Sequence, residues 1–230
     1  PTDKAQAAIY VVSAILYDQL ADNGISADYL AGHSLGELTA CYAAGVVDFE
    51  TGLRIVKERG RLMANADPNK EGTMAAVLGM SGNDVEAIVN RLKDEGPLVV
   101  ANYNSAVQVV ISGRRDMVEK ASDELKENGA KRVVPLNVAG AFHSSYMNAA
   151  SDEFKAAIES YTFNNASVPI ILNRTALPET NADAIRENLP LQMKSSVCWT
   201  QTMSYLSDKL NIFLSLIATY LKFSISSGII

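Results

Sequence analysis

Five residues, Gly32-His33-Ser34-Leu35-Gly36, constrain this chain more than any other feature. Residues 28–31 before them read as a short strand, and residues 37–44 after them are rich in helix formers and end at Gly45. A Gly-x-Ser-x-Gly run between a strand and a helix is the pattern of a nucleophile elbow, where glycine permits a strained turn that pushes the serine hydroxyl into the open. The expected architecture is therefore layered α/β with a parallel sheet, and Ser34 is the candidate nucleophile. The backbone N–H of Leu35, at the start of the following helix, is a candidate donor to a developing oxyanion.

The rest of the chain can be read around that turn. Ala8, Val11, Val12, Ile15 and Leu16 recur at three- and four-residue spacings before Gly24, which predicts an amphipathic helix over residues 4–20 with these side chains on its apolar face. Asp48 is placed to cap a helix that runs to about Ala66, where Asn65, Asp67 and Pro68 end it. Residues 72–136 change texture: strands at 73–80, 98–102, 108–112 and 131–136 alternate with helices at 85–92 and 117–127. This β-α-β-β-α-β order is that of a ferredoxin-like unit, so residues 69–138 read as a subdomain inserted into a larger domain made of residues 1–68 and 139–230. A helix from Ser151, a strand at 168–172 and a helix at 202–209 complete the second half.

Composition narrows the class. A net charge of -6 with 20% charged and 48% hydrophobic residues fits a globular domain and offers no footprint for nucleic acid. Cys41 and Cys198 are too far apart in sequence to suggest a disulfide framework or a zinc pattern, which fits a reducing, cytoplasmic setting with no metal. No signal peptide opens the chain, and no long apolar span precedes the last twenty residues. Residues 210–230 read as a strand with a disturbed end, the alternative being a marginal membrane segment. The start at Pro1, almost inside a helical pattern, is what a piece of a longer protein would show.

A serine needs a general base, and only His33 and His143 are available. Neighbouring side chains leaving a strand point in opposite directions, so His33 should face away from the Ser34 hydroxyl. His143 lies in the small-residue loop Ala139-Gly140-Ala141-Phe142-His143-Ser144-Ser145, which can approach another site closely. No Asp or Glu stands at a telling spacing to orient it; an acid or a main-chain carbonyl would both serve. In the helix after Asp48, Arg54, Lys57, Glu58 and Arg61 form a solvated face with Arg54 and Glu58 as an i,i+4 pair. Arg59 sits among Ile55, Val56, Leu62 and Met63, so its charge requires a partner: a substrate carboxylate or an internal acid.

Taken together, Ala31-Gly32-His33-Ser34-Leu35-Gly36-Glu37, Glu58-Arg59-Gly60, Asn102-Tyr103-Asn104-Ser105 and Ala141-Phe142-His143-Ser144 resemble the malonyl-CoA:acyl carrier protein transacylases, from residue 1 to about residue 210. The resemblance implies an α/β-hydrolase-like core carrying the ferredoxin-like subdomain, with Ser34 receiving malonyl from coenzyme A and His143 serving as base and then acid. It implies that Arg59 holds the free malonyl carboxylate, that the main-chain carbonyl of Gln192 orients His143, and that Phe142 marks the malonyl-selecting form of its loop. The partners it implies are malonyl-CoA and acyl carrier protein, with no cofactor, no membrane, no nucleic acid and a monomeric enzyme. Arg114, Arg115, Lys131 and Arg132 are candidates for a basic patch that would meet an acidic carrier. The family's N-terminal Gly-Gln-Gly loop and its C-terminal Val-Gly-Pro-Gly turn are not matched. A serine esterase or thioesterase would share Ser34 and His143 without needing Arg59, and an inactive fragment that only binds carrier protein is the reading from another class.

Overall fold

The computed structural model describes residues 2–209. The chain opens with α1 (Thr2–Asp22) and passes through β1 (Leu30–Ala31) into α2 (Leu35–Ala43) and α3 (Phe49–Asn65). Asp48 caps α3 as its sequence position suggests, its side chain accepting the Thr51 N–H at 2.7 Å. Then come β2 (Gly72–Leu78), α4 (Gly82–Leu92), β3 (Leu98–Ser105), β4 (Gln108–Arg114), α5 (Arg115–Glu127) and β5 (Arg132–Pro135). The second half holds α6 (Asn148–Ile158), β6 (Ile170–Ile171), β7 (Pro178–Glu179), α7 (Ala182–Met193) and α8 (Trp199–Lys209). The sequence reading did not foresee α7, whose interior Pro190 and mixed polarity hide its period. The strand with a disturbed end expected over 210–230 lies outside the described residues.

Two sheets organise the molecule. β1 runs parallel to β6, and β7 is antiparallel on its other side. The second sheet has the order β3-β4-β2-β5 with every neighbouring pair antiparallel. Its strands are apolar on both sides because both sides are covered. Ala75, Val77, Val109 and Ile111 pack with Val85, Ile88 and Val118 of α4 and α5, whereas Met74, Ala76, Ala101 and Val110 join the cluster built from α2, α3, α6 and α7. The alternation of the pleat thus gives one face of the sheet to its own helices and the other to the rest of the chain.

One expectation about a helix face fails, and one about a side-chain pair on a face that is solvated as expected. In α1, Val12, Ile15 and Leu16 are exposed and Ala8 with them, while Gln6, Tyr10, Ser13 and Ala14 point inward. The buried face is chosen by Tyr10, whose ring stacks on Phe49 and meets Tyr42 edge-on, and by the close approach of Gly52 beneath its hydroxyl. In α3, Arg54 pairs with Glu50 rather than Glu58, and Arg61 takes Glu58 instead. The expected basic patch is also divided. Arg114 sits opposite Gly72 and Arg132 opposite Leu78, at the two ends of β2, which separates the pairs by about 20 Å at strand rise.

Candidate active site

β1 ends at Ala31, and within three residues the chain has turned into α2. The turn is made at Ser34, whose φ of 51° and ψ of -104° lie in a region that costs a non-glycine residue about 1–3 kcal/mol. Gly32 makes the bend possible: a Cβ there would lie 2.0 Å from the Gly36 carbonyl carbon. A Cβ on Gly36 would meet nothing, so the two glycines of the motif serve differently, one by lacking a side chain and the other by lying beneath it. Leu35 follows as the first residue of α2, which puts its N–H at the helix N-terminus as expected.

His33 leaves the turn in the other direction, as its adjacency to Ser34 predicts. Its Nε2 is 2.9 Å from Asn104 Oδ1 and its ring meets Trp199 edge-on, and burial lowers its pKa. The imidazole at Ser34 belongs to His143, whose Nε2 lies 2.9 Å from Ser34 Oγ. On its far side Nδ1 is 3.0 Å from the carbonyl oxygen of Gln192 and 3.1 Å from that of Ser195. Both carbonyls can only accept, so Nδ1 carries the proton and Nε2 presents a lone pair to the Ser34 O–H. Burial, reinforced by the nearby Arg59 charge, lowers the His143 pKa to about 3, so the ring is neutral at pH 7 with its Nε2 lone pair unprotonated. Two main-chain carbonyls occupy the place where a triad would set a carboxylate.

Arg59 is buried on the inner face of α3. Nη1 donates to Gln6 Oε1 at 2.7 Å, and Nη2 donates to Gln192 Oε1 at 2.8 Å and to Ser34 Oγ at 3.0 Å. A guanidinium is thus set against the hydroxyl that would react, amid neutral amide oxygens that a carboxylate could displace. Gln192 does more than the sequence suggested: besides its carbonyl at His143 and its Oε1 at Arg59, its Nε2 donates to the Ser34 carbonyl at 2.8 Å. Phe142 is buried in the same cluster as Met63 and Met74.

Several residues of the site escaped the sequence reading. Asn173, just past β6, accepts the Ser34 N–H at 2.6 Å and donates to the Gly32 carbonyl at 2.7 Å. Glu37 is wholly buried, and its carboxylate accepts the Asn173 N–H at 2.7 Å and Asn188 Nδ2 at 2.8 Å. Burial pushes its pKa up to about 7 against the opposing pull of those hydrogen bonds and of Arg59. A signal for Glu37 did exist, since it is the one charged residue in the otherwise apolar and small run of α2. Gln6, Asn173 and Asn188 carry no comparable mark. A separate groove of about 620 Å³ is lined by Ser81, Tyr103, Arg174, Ser196 and Thr200 among others, and none of Ser34, His143 or Arg59 borders it.

A strained serine, a neutral imidazole oriented by carbonyls, and a cation beside the nucleophile are the parts from which acyl groups are passed through an ester. Residues 1–211 match the acyl transferase domain family over nearly the whole chain. The chain belongs to that family. Relatives of this acyl transferase domain include the malonyl CoA-acyl carrier protein transacylase of Synechocystis, 44% identical over 207 residues that cover 90% of this chain and 68% of that one. A polyketide biosynthesis malonyl CoA-acyl carrier protein transacylase of Bacillus velezensis is 43% identical over 214 residues, covering 90% of this chain and 71% of the relative. The acyl transferase domain therefore spans about two thirds of these relatives' lengths. Among solved structures, a malonyl-transacylase in complex with a type II PKS acyl-carrier protein superposes with a TM-score of 0.87 at 33% identity, covering 90% of this chain and 68% of that one. Among the described residues of the acyl transferase domain no helix is long and apolar enough to cross a membrane.

Proposed function

We propose that this chain transfers a malonyl group from malonyl-CoA to the phosphopantetheine thiol of an acyl carrier protein through an ester on Ser34. The observation that carries the reading is Arg59: a buried guanidinium 3.0 Å from the Ser34 hydroxyl that His143 also holds. A hydrolase of neutral esters would gain nothing from a cation there, whereas an acyl group ending in a carboxylate needs one. The names of the relatives support the same substrate and carrier.

The chemistry then runs in two halves. His143 Nε2 takes the Ser34 proton as Oγ attacks the malonyl thioester carbonyl, and the Leu35 N–H at the head of α2 meets the oxyanion that forms. Coenzyme A leaves as a thiol, taking the proton from His143, and the ester remains with its free carboxylate on Arg59. The carrier thiol repeats the sequence in reverse, its proton passing to His143 and back to Ser34 as the ester is cleaved. The Gln192 and Ser195 carbonyls keep Nδ1 protonated throughout, so the same nitrogen, Nε2, carries each proton.

We read the antiparallel sheet with α4 and α5 as a ferredoxin-like subdomain, residues 69–138, set into an α/β-hydrolase-like core of residues 1–68 and 139–230. Its sheet order, its β-α-β-β-α-β connectivity and its own apolar cluster support that division. The enzyme is read as cytoplasmic and monomeric, with an acidic carrier docking at one end of that sheet. Lys131 and Arg132 are the better pair for it, because Arg114 is already held by Asp116 at 2.6 Å.

Intact mass after brief exposure to malonyl-CoA tests the reading. The expected result is a malonyl adduct on the parent, absent from Ser34→Ala and strongly reduced in Arg59→Ala. Equal hydrolysis of acetyl and malonyl thioesters, with no transfer to carrier protein, would establish an esterase instead, and a folded parent that takes up nothing would leave only a carrier-binding role.

A further inference from the structure

Ser34 is held at a backbone conformation that few non-glycine residues adopt, and something must oppose its relaxation. Side-chain amides grip the peptide groups on either side of its Cα: its N–H is held by Asn173 and its C=O by Gln192. Asn173 also reaches back to the Gly32 carbonyl, so one planar amide spans the turn from the residue before His33 to the nucleophile itself. This double contact fixes which way the amide faces, with Oδ1 toward the Ser34 N–H and Nδ2 toward the Gly32 carbonyl. Asn173 is itself fixed. Its main-chain N–H is bound by the Glu37 carboxylate, whose other oxygen binds Asn188, and Asn188 in turn accepts from Arg174 Nε at 3.1 Å. Asn173 and Glu37 are both wholly buried, and the hydrogen bonds of Ser34 Oγ and of the His143 ring go to other groups.

We infer that Asn173, anchored by the Glu37 carboxylate, is a positioning residue for acyl transfer: it braces the elbow so that Ser34 Oγ stays in line with His143 Nε2. The inference rests on the reading of Ser34 as nucleophile and not on the identity of the acyl group. Displacing a reacting atom by about 1 Å costs on the order of 10²-fold in rate, and a slackened elbow would move Oγ by such an amount. Substrate binding through Arg59 would be left largely intact, because Arg59 is held by Gln6 and Gln192.

The near-isosteric Asn173→Asp isolates this role. When ionised, the new side chain sets a carboxylate oxygen against the Gly32 carbonyl oxygen, and the contact becomes repulsive. When protonated, its O–H donates to that carbonyl and its other oxygen accepts the Ser34 N–H, which restores the pattern of the amide. The titratable and charged groups around it are Glu37 on α2, which when ionised disfavours ionisation of the new side chain, Arg59 on α3 and Arg174 on the same segment, which favour it, and His33 and His143, whose burial disfavours their charged forms.

The measurement is the rate of Ser34 acylation by malonyl-CoA, and in parallel its labelling by a fluorophosphonate, where Oγ displaces fluoride and His143 takes the proton. Parent and variant are compared at each pH from 6 to 8. Asn173→Asp is expected to be about 10²-fold slower than the parent with both reagents at pH 8, to recover at least tenfold relative to the parent by pH 6, and to keep KM for malonyl-CoA within about threefold. Glu37→Gln, which turns an NH2 toward one of the two donors at every pH, is expected to slow both reactions at pH 8 and to differ less from the parent at pH 6, where Glu37, with its pKa of about 7, is itself mostly protonated. Parental rates at pH 8 in folded Asn173→Asp, or a loss with no recovery at pH 6, would overturn the inference. So would failure of both variants to fold by near-ultraviolet circular dichroism, because the brace would then serve the fold and not the nucleophile. A parent labelled by fluorophosphonate but not by malonyl-CoA would refute the transferase reading alone and leave the comparison of variants in force.

Discussion

At the residue scale, the two glycines of the elbow look alike in sequence and separate cleanly in space. Gly32→Ala forces a Cβ to within 2.0 Å of main chain that cannot yield without opening the turn. It is expected to cost at least about 3 kcal/mol, at or above the usual upper range for overpacking. Gly36→Ala adds a methyl group where nothing lies within 4 Å, and in a helix it should stabilise by up to about 1 kcal/mol. Urea midpoints of the two variants check the contrast, and equal losses would mean that the steric asymmetry does not govern the turn. Ser34, His143 and Arg59 were legible because each broke a local rule: a serine between glycines, a histidine in a loop of small residues, a charge on an apolar helix face. Asn173 and Asn188 broke none. A buried amide differs from an exposed one only in what surrounds it, and that is decided by segments more than a hundred residues away.

At the element scale, α1 shows how a helix can carry a readable period and still be read on the wrong face. Val12 at 53% and Ile15 at 50% exposure lie outward, although by hydropathy they outrank Gln6 and Ser13, which lie inward. Helix formation needs only the period, whereas the face is chosen by fit, and here Tyr10 fits between Tyr42, Phe49 and the bare surface of Gly52. Ile15→Lys and Leu16→Glu are therefore expected to change stability by no more than about 0.5 kcal/mol. Tyr10→Ala should cost about 3–5 kcal/mol. Thermal melts of the three variants decide it; a large loss from Ile15→Lys would show that the outward stripe is covered in solution. The βαββαβ pattern, in contrast, was legible throughout, because short strands and amphipathic helices separated by turns leave little freedom in how they connect. Neither the strand order nor the burial of both sheet faces could be read from it.

At the scale of the whole molecule, buried titratable groups tie the site to stability. His143 has a folded pKa of about 3 against 6.5 when unfolded, so the unfolded chain binds more protons between those values and stability falls as pH drops through that window. His33 is lowered as well and acts in the same sense. Glu37 is raised from 4.5 to about 7, so between those values the folded chain binds more protons and stability falls as pH rises. Where the windows overlap, from about 4.5 to 6.5, the terms oppose one another, and the net acid loss should steepen below about 4.5. His143→Gln removes one opposing term, so its urea midpoint is expected to hold up better in acid than the parent's and to fall more with rising pH between 5 and 7. Parallel pH profiles for parent and variant would show that His143 does not titrate as its burial demands.

The sequence by itself marked the elbow, its serine, the candidate base His143 and the cation on the apolar face of α3, because each is a residue type that stands out by local geometry or local chemistry; the partner of Arg59 it left open. It gave the order of helices and strands up to residue 172 for a related reason, since period and turn residues act over a few positions, but it missed β7 and α7. The tertiary structure alone decided which face of α1 is buried, that the Ser195 carbonyl joins that of Gln192 at His143 Nδ1, that the basic residues fall at opposite ends of one sheet, and that Glu37 and Asn173 are hydrogen-bonded into the elbow. These depend on distance between segments remote in sequence, and burial, hydrogen bonding and the Coulomb interaction all act through space and not along the chain.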